Sequence, residues 1–114
     1  MMSHQKLTRT HEWIDQRSLA LDKAIVRKLL AEPALLQRAK DNLQRWIQQR
    51  RPAVPQVLVE WQEILETWPF EKIIELLSSS EQEACRLRQS SPFCGILSEE
   101  ERTAIFQEYE ALRA

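Results

Sequence analysis

The sequence predicts an all-α protein, a single-domain helical bundle of about five to six helices with a long N-terminal helical hairpin. Three observations lead there. Apolar residues recur at three- and four-residue intervals along almost the whole chain, and no run alternates with period two. The five prolines fall between these stripes or at their starts, and the single glycine, Gly95, lies in a loop. Serine followed three residues later by glutamate recurs where a stripe begins, the spacing of a capping box.

The first helix is expected from about His11 to Ala31, leaving residues 1–10 as a frayed N-terminus. Ile14, Leu21, Ile25 and Leu29 form its core stripe, Ser18 fills the gap, and Trp13, Val26 and Leu30 widen it. Pro33 suits the first turn of a second helix reaching about Arg50. Its inner face is Leu36, Ala39, Leu43, Trp46 and Ile47, and its outer face Lys40, Asp41, Gln44 and Gln48. The short Glu32–Pro33 corner makes these two helices an antiparallel pair.

The run from Arg51 to Pro55 is a connector, because a residue that precedes proline avoids the helical region. A third helix follows from about Gln56 to Thr67, with Val57 or Leu58, Trp61, Ile64 or Leu65 and finally Trp68 on its inner side. Pro69 opens a fourth, with Phe70, Ile73, Ile74 and Leu77 inward, ending in Ser78 to Ser80. Either Ser78 with Glu81 or Ser80 with Glu83 caps a fifth helix running to about Gln89, which buries Ala84, Cys85 and Leu87 or the stem of Arg88. Ser98 and Glu101 cap the last helix, whose face is Ile105, Tyr109 and Leu112 with Phe106 beside it.

Composition limits what such a bundle does. With 114 residues, 43% hydrophobic and 29% charged, the chain is one ordinary folded domain, residues 1–114. It contains no window near the roughly 18 apolar residues that span a bilayer and no secretory leader, so the expectation is a cytoplasmic protein that makes no membrane contact. There Cys85 and Cys94 stay reduced, and two thiols without a nearby histidine make a poor metal site. No cofactor is expected, since one glycine cannot build a phosphate-cradling loop.

Catalytic groupings are sparse. His4 and His11 sit near the N-terminus, Cys94 lies close to a helix start, and Glu99 to Glu101 are ordinary first-turn acids that complement the helix dipole. The expectation is no enzyme. Binding features carry more weight. Residues 1–51 hold 11 Lys/Arg and 5 Asp/Glu, whereas residues 52–114 hold 5 and 12. A basic half can meet phosphates, with Arg17, Lys23, Arg27 and Lys28 as candidates on one helix. An acidic half can meet a basic partner. Trp13, set among charged neighbours, is a candidate contact residue. Helices three and four do not read as a DNA-binding pair, because Glu71 and Glu75 would face phosphates.

The segment Arg86 to Arg102, RLRQSSPFCGILSEEER, is the most distinctive of the chain. It resembles a group of small bacterial helical proteins sharing roughly R-L-R-Q-S-S-P-F-x-G-x-L-x-x-x-E-R, with Arg17-Ser18-Leu19 and Pro33-Ala34-Leu35-Leu36 similar in their N-terminal halves. Members look like the small partner of toxin-antitoxin-type or defence-type gene pairs. The resemblance implies a non-enzymatic, antitoxin-like module that neutralises a partner protein, such as a toxin encoded nearby, by occluding it. Arg86, Arg88, Gln89, Ser90, Ser91, Pro92 and Phe93 are the matching motif positions, read either as a partner-binding loop or as a structural corner in which Arg88 and Gln89 tie loop carbonyls and Phe93 plugs the bundle. The alternative function is a nucleic-acid-binding regulator that uses the basic half. Oligomeric state does not follow from the residues.

Overall fold

Among the described residues, six α-helices form where the apolar stripes lie: α1 Met2–Ala31, α2 Leu36–Arg50, α3 Gln56–Thr67, α4 Phe70–Ser78, α5 Gln82–Arg88 and α6 Glu99–Arg113. The computed structural model describes the backbone of residues 2–113 and the side chains of residues 12–112. Among the described residues there is no strand, and no helix is long and apolar enough to cross a membrane. Helix α1 begins at Met2, ahead of the start expected near His11. At thirty residues it is as long as the molecule, whose longest dimension is 45 Å.

A three-residue 3-10 turn, Pro33–Leu35, joins α1 to α2. The two helices meet at this corner, but each lies along other neighbours: α1 against α4 and α6, and α2 against α3. The antiparallel pairing of the first two helices is therefore replaced by pairing of α1 with the C-terminal half of the chain. The core lies between these layers, with Leu29, Leu43, Trp61, Ile73, Leu77, Phe93 and Leu97 all buried. Ile14 and Leu30, placed on the core stripe by their spacing, are 43% and 59% exposed, and Leu112 at the far end of α6 is also exposed.

Helix starts follow local chemistry. The Ser98 hydroxyl accepts from the Glu101 backbone N–H at 3.1 Å, and Glu101 Oε1 accepts from the Ser98 N–H at 2.7 Å, so the expected capping box opens α6. The Ser98 backbone N–H first, and Lys28 at 3.0 Å next, hold the Glu101 carboxyl below the ordinary carboxylate range. Ser98→Ala removes the hydroxyl acceptor and should lower stability by about 1 kcal/mol in a denaturant melt. An unchanged midpoint would show that the box is not used.

Neither box expected ahead of α5 forms. Glu81 occupies the cap position without a side-chain bond, and Ser79, the serine between the two candidates, accepts from the Glu81 N–H at 3.0 Å. Trp68 also departs from expectation. Its position continues the phase of Trp61 and Ile64, yet the backbone leaves the helix there, with φ −79° and ψ 142° ahead of Pro69. Proline forces its predecessor into the extended region, which rotates the indole off the inner face, and it is 40% exposed.

Candidate binding cleft

The loop after α5 is assembled from both halves of the chain. Helix α5 winds down through tight turns, Ser90 N–H donating to Leu87 O at 3.1 Å and Ser91 N–H to Arg88 O at 3.2 Å, until Pro92 ends the pattern. Two donors of the buried Asn42 side chain, on α2, then hold the loop: Nδ2 donates to Pro92 O at 2.9 Å and to Cys94 O at 3.0 Å. Arg45 donates to Asn42 Oδ1 at 2.8 Å and fixes the amide. Arg38 donates to Gly95 O at 2.7 Å. Gly95 has φ +80°, where an L side chain is strained by roughly 1–2 kcal/mol. A Cβ there would meet only Arg38 Cδ at 3.8 Å, so the backbone conformation, not space, selects glycine.

The motif residues divide by direction. Arg88 points inward, its side chain 6% exposed. Its Nε donates to Asp22 Oδ2 on α1 at 2.8 Å, and Nη2 donates to Leu77 O at 3.2 Å and Ser79 O at 2.7 Å, at the end of α4. Burial pushes the Asp22 carboxyl up to about 6, against the opposing pull of the Arg88 hydrogen bond and charge. Pro92 and Phe93 are buried, and Phe93 meets Trp61 edge-on with ring centroids 5.8 Å apart. Trp61 Nε1 donates to Leu87 O at 2.9 Å. Arg88, Pro92 and Phe93 are thus braces of the fold, none of them exposed. Arg86 is exposed but engaged, its guanidinium 2.8 Å from Glu83 and 2.9 Å from Glu60. Glu83 and then Glu60 raise the Arg86 pKa, while Arg86 lowers that of Glu83.

What remains outward is Gln89 and Cys94, exposed, with Ser90 and Ser91 half-buried. Gln89, Ser91 and Cys94 edge a cleft of about 320 Å³ between the loop, α1 and Arg102 of α6. Its floor is apolar, made by Leu21, Ile25, Phe93 and Leu97. A smaller recess of about 70 Å³, with Ile14 and Asp15 on α1, shares Ser18, Arg88 and Gln89 with it and extends the opening along α1. An apolar floor rimmed by a few polar groups is the usual form of a site that accepts a ligand or a partner's side chain.

The basic residues of α1 are similarly divided. Arg17 lies between two rings, its guanidinium carbon 4.7 Å from the Trp13 centroid and 4.8 Å from that of Phe106, and its Nε is buried without a hydrogen bond among the described residues. Trp13 is half-buried, and its indole N–H donates to the Tyr109 carbonyl. Both residues serve the seam between α1 and α6, so Trp13 is not the exposed contact residue that its neighbours implied. Lys28 pairs with Glu101. Lys23 and Arg27 are exposed one turn apart, and neither has an ion pair among the described residues.

The side chains of His4 and His11 lie outside the described residues. Among the described residues, no three His, Cys, Asp or Glu side chains lie together as a metal site. Asp22, Arg38, Asn42 and Arg45 escaped the sequence reading. The signal for two of them was present, since Asp22 and Asn42 are polar residues standing on core stripes, at the spacings Ser18-Asp22-Ile25-Leu29 and Ala39-Asn42-Leu43-Trp46. No family model, curated protein or solved structure was found to match the chain.

Proposed function

We propose that the chain is a non-enzymatic interaction module, antitoxin-like in action, which holds a short segment of a partner protein in the cleft between the loop, α1 and α6 and so occludes that partner. The observation that supports this is the division of the motif. Its inward residues fix the loop rigidly, and its outward residues Gln89 and Ser91 stand beside an apolar floor. A rigid rim keeps the ordering cost of association low, because the donors are already placed. The resemblance of the Arg86–Arg102 segment to the small partner of toxin-antitoxin-type pairs supports the same reading.

The alternative, a nucleic-acid-binding regulator, draws support from the exposed pair Lys23 and Arg27. It is weakened by the internal engagement of Arg17 and Lys28, the other two residues on that helix expected to meet phosphates. The test is capture of tagged protein from its native cells at low and high salt, alongside Ser18→Trp, which fills the cleft from α1. The expected result is a stoichiometric protein partner that survives high salt on the wild type and is lost with Ser18→Trp at an unchanged melting temperature. A partner retained equally by both would remove the cleft from the reading. Nucleic acid that washes off with salt, and no protein, would replace the reading by the regulator.

A further inference from the structure

A second surface stands in the acidic half of the chain, at the corner between α3 and α4. Trp68 sits there on a stiff support: its own N–H donates to Ile64 O at 3.0 Å, and Pro69 O accepts from Lys72 and Ile73 at 3.0 and 3.2 Å. An exposed apolar side chain alone is ordinary. This one differs in its setting. Trp13 and Trp61 direct their indole N–H groups to carbonyls within the fold, whereas those of Trp46 and Trp68 have no hydrogen bond among the described residues, and of these two only Trp68 is exposed. Along the sequence on either side of it the charge is one-sided, while Glu66 also lines a groove with Lys40 and Arg51. Glu63, Glu66, Glu71 and Glu75 lie within seven residues of it, against a single basic residue, Lys72. Lys72 pairs with Glu75 at 3.3 Å, and Glu60 is held by Arg86, which leaves exposed Glu63, Glu66 and Glu71 without an ion pair among the described residues. Val59, Glu63 and Glu66 share the outer stripe of α3 that leads to the indole.

We infer that Trp68 with Glu63, Glu66 and Glu71 forms a docking site for an arginine- or lysine-rich segment of a partner protein. The occupant follows from charge complementarity. A guanidinium stacks on an indole face, and the flanking carboxylates accept its N–H groups, so aromatic and acidic residues recognise the same cation at once. A phosphate backbone is repelled by the same carboxylates, which sets this face apart from a nucleic-acid surface. The site shares no residue with the cleft and does not depend on the function proposed for it.

The test uses the full chain and a labelled octapeptide of alternating arginine and glycine, with the glutamate-glycine octapeptide as control, read by fluorescence anisotropy. The arginine peptide is expected to bind and the glutamate peptide not to. Trp68→Ala should weaken binding roughly five-fold, and Trp68→Phe, which keeps a ring, about two-fold. E63Q/E66Q/E71Q should weaken it about ten-fold at low salt and flatten its salt dependence. E99Q/E100Q/E108Q removes equal charge from α6 and should leave binding unchanged, as should Ser18→Trp. Thermal melts of each variant confirm that the fold persists. Equal weakening by the two triple variants, or wild-type binding by Trp68→Ala, would overturn the site by showing only diffuse attraction to an acidic protein. Loss of binding with Ser18→Trp would move the peptide to the cleft and overturn it equally.

Discussion

Trp61→Ala is expected to destabilise the protein by roughly 3–5 kcal/mol, a large part of the stability of a domain this size. Trp61 is 1% exposed, meets Phe93 edge-on at 5.8 Å, and gives its indole N–H to Leu87 O. Alanine leaves a cavity between α3 and the loop, and it removes one of the two donors to the Leu87 carbonyl, leaving only the Ser90 N–H where α5 unwinds. The two losses separate. Trp61→Phe keeps ring surface and loses only the donor and part of the volume, so its cost should be the smaller. Combined with Phe93→Ala in a double-mutant cycle, Trp61→Ala should show a coupling of roughly 0.5–1.5 kcal/mol, the range for paired rings. Urea melts followed by far-ultraviolet circular dichroism measure all of these. A cost below about 1 kcal/mol for Trp61→Ala would mean that the loop does not rest on this ring.

The second large effect is expected at Asp22. Asp22→Ala removes the acceptor of Arg88 Nε and leaves that buried donor unpaired, a loss of roughly 3 kcal/mol at neutral pH. Arg88→Met should be at least as costly, because it also orphans the Leu77 and Ser79 carbonyls. Asp22→Asn is different, since an amide oxygen still accepts from Arg88 Nε. The pH arm follows from the carboxyl's displacement from 3.8 to about 6. A folded-state pKa above the unfolded value means that the folded protein holds a proton which the unfolded chain releases. That stabilisation is complete below about pH 4 and is lost as pH rises through about 6. Wild type should therefore lose on the order of 3 kcal/mol relative to Asp22→Asn between pH 4 and pH 7. Taking the difference removes the opposite contributions of Glu83 and Glu101, whose lowered pKa values favour the folded state as pH rises. A difference that stays flat over this window would assign Asp22 an ordinary pKa.

The two predictions concern residues of unequal visibility in the sequence. Trp61 was legible because its position, its neighbours Ile64 and Leu65 and its helical phase all agree, and each is a local property. The Ser98-Glu101 cap was legible for the same reason. Trp68 departs from its helical phase because the residue ahead of Pro69 leaves the helix, a break that the proline itself marks in the sequence. The pairing of α1 with α4 and α6 was not legible, since a short corner fixes that two helices meet and not which faces they share. In the loop, the only glycine and Pro92 marked its place. Which of its residues turn inward depended on Asp22 and Asn42, partners 66 and 50 residues away.

Those distances have a consequence for any attempt to transplant the loop. A peptide copying residues 86–95 would carry the side chains of the motif without the anchors that shape it, because Arg88 reaches into α1 and the end of α4, and Asn42 and Arg38 hold the far side from α2. The cleft belongs to the whole tertiary structure and cannot be cut out or grafted as a linear epitope. An antibody raised against the denatured segment should accordingly bind the native chain poorly, and the cleft should open and vanish together with the bundle in one cooperative step.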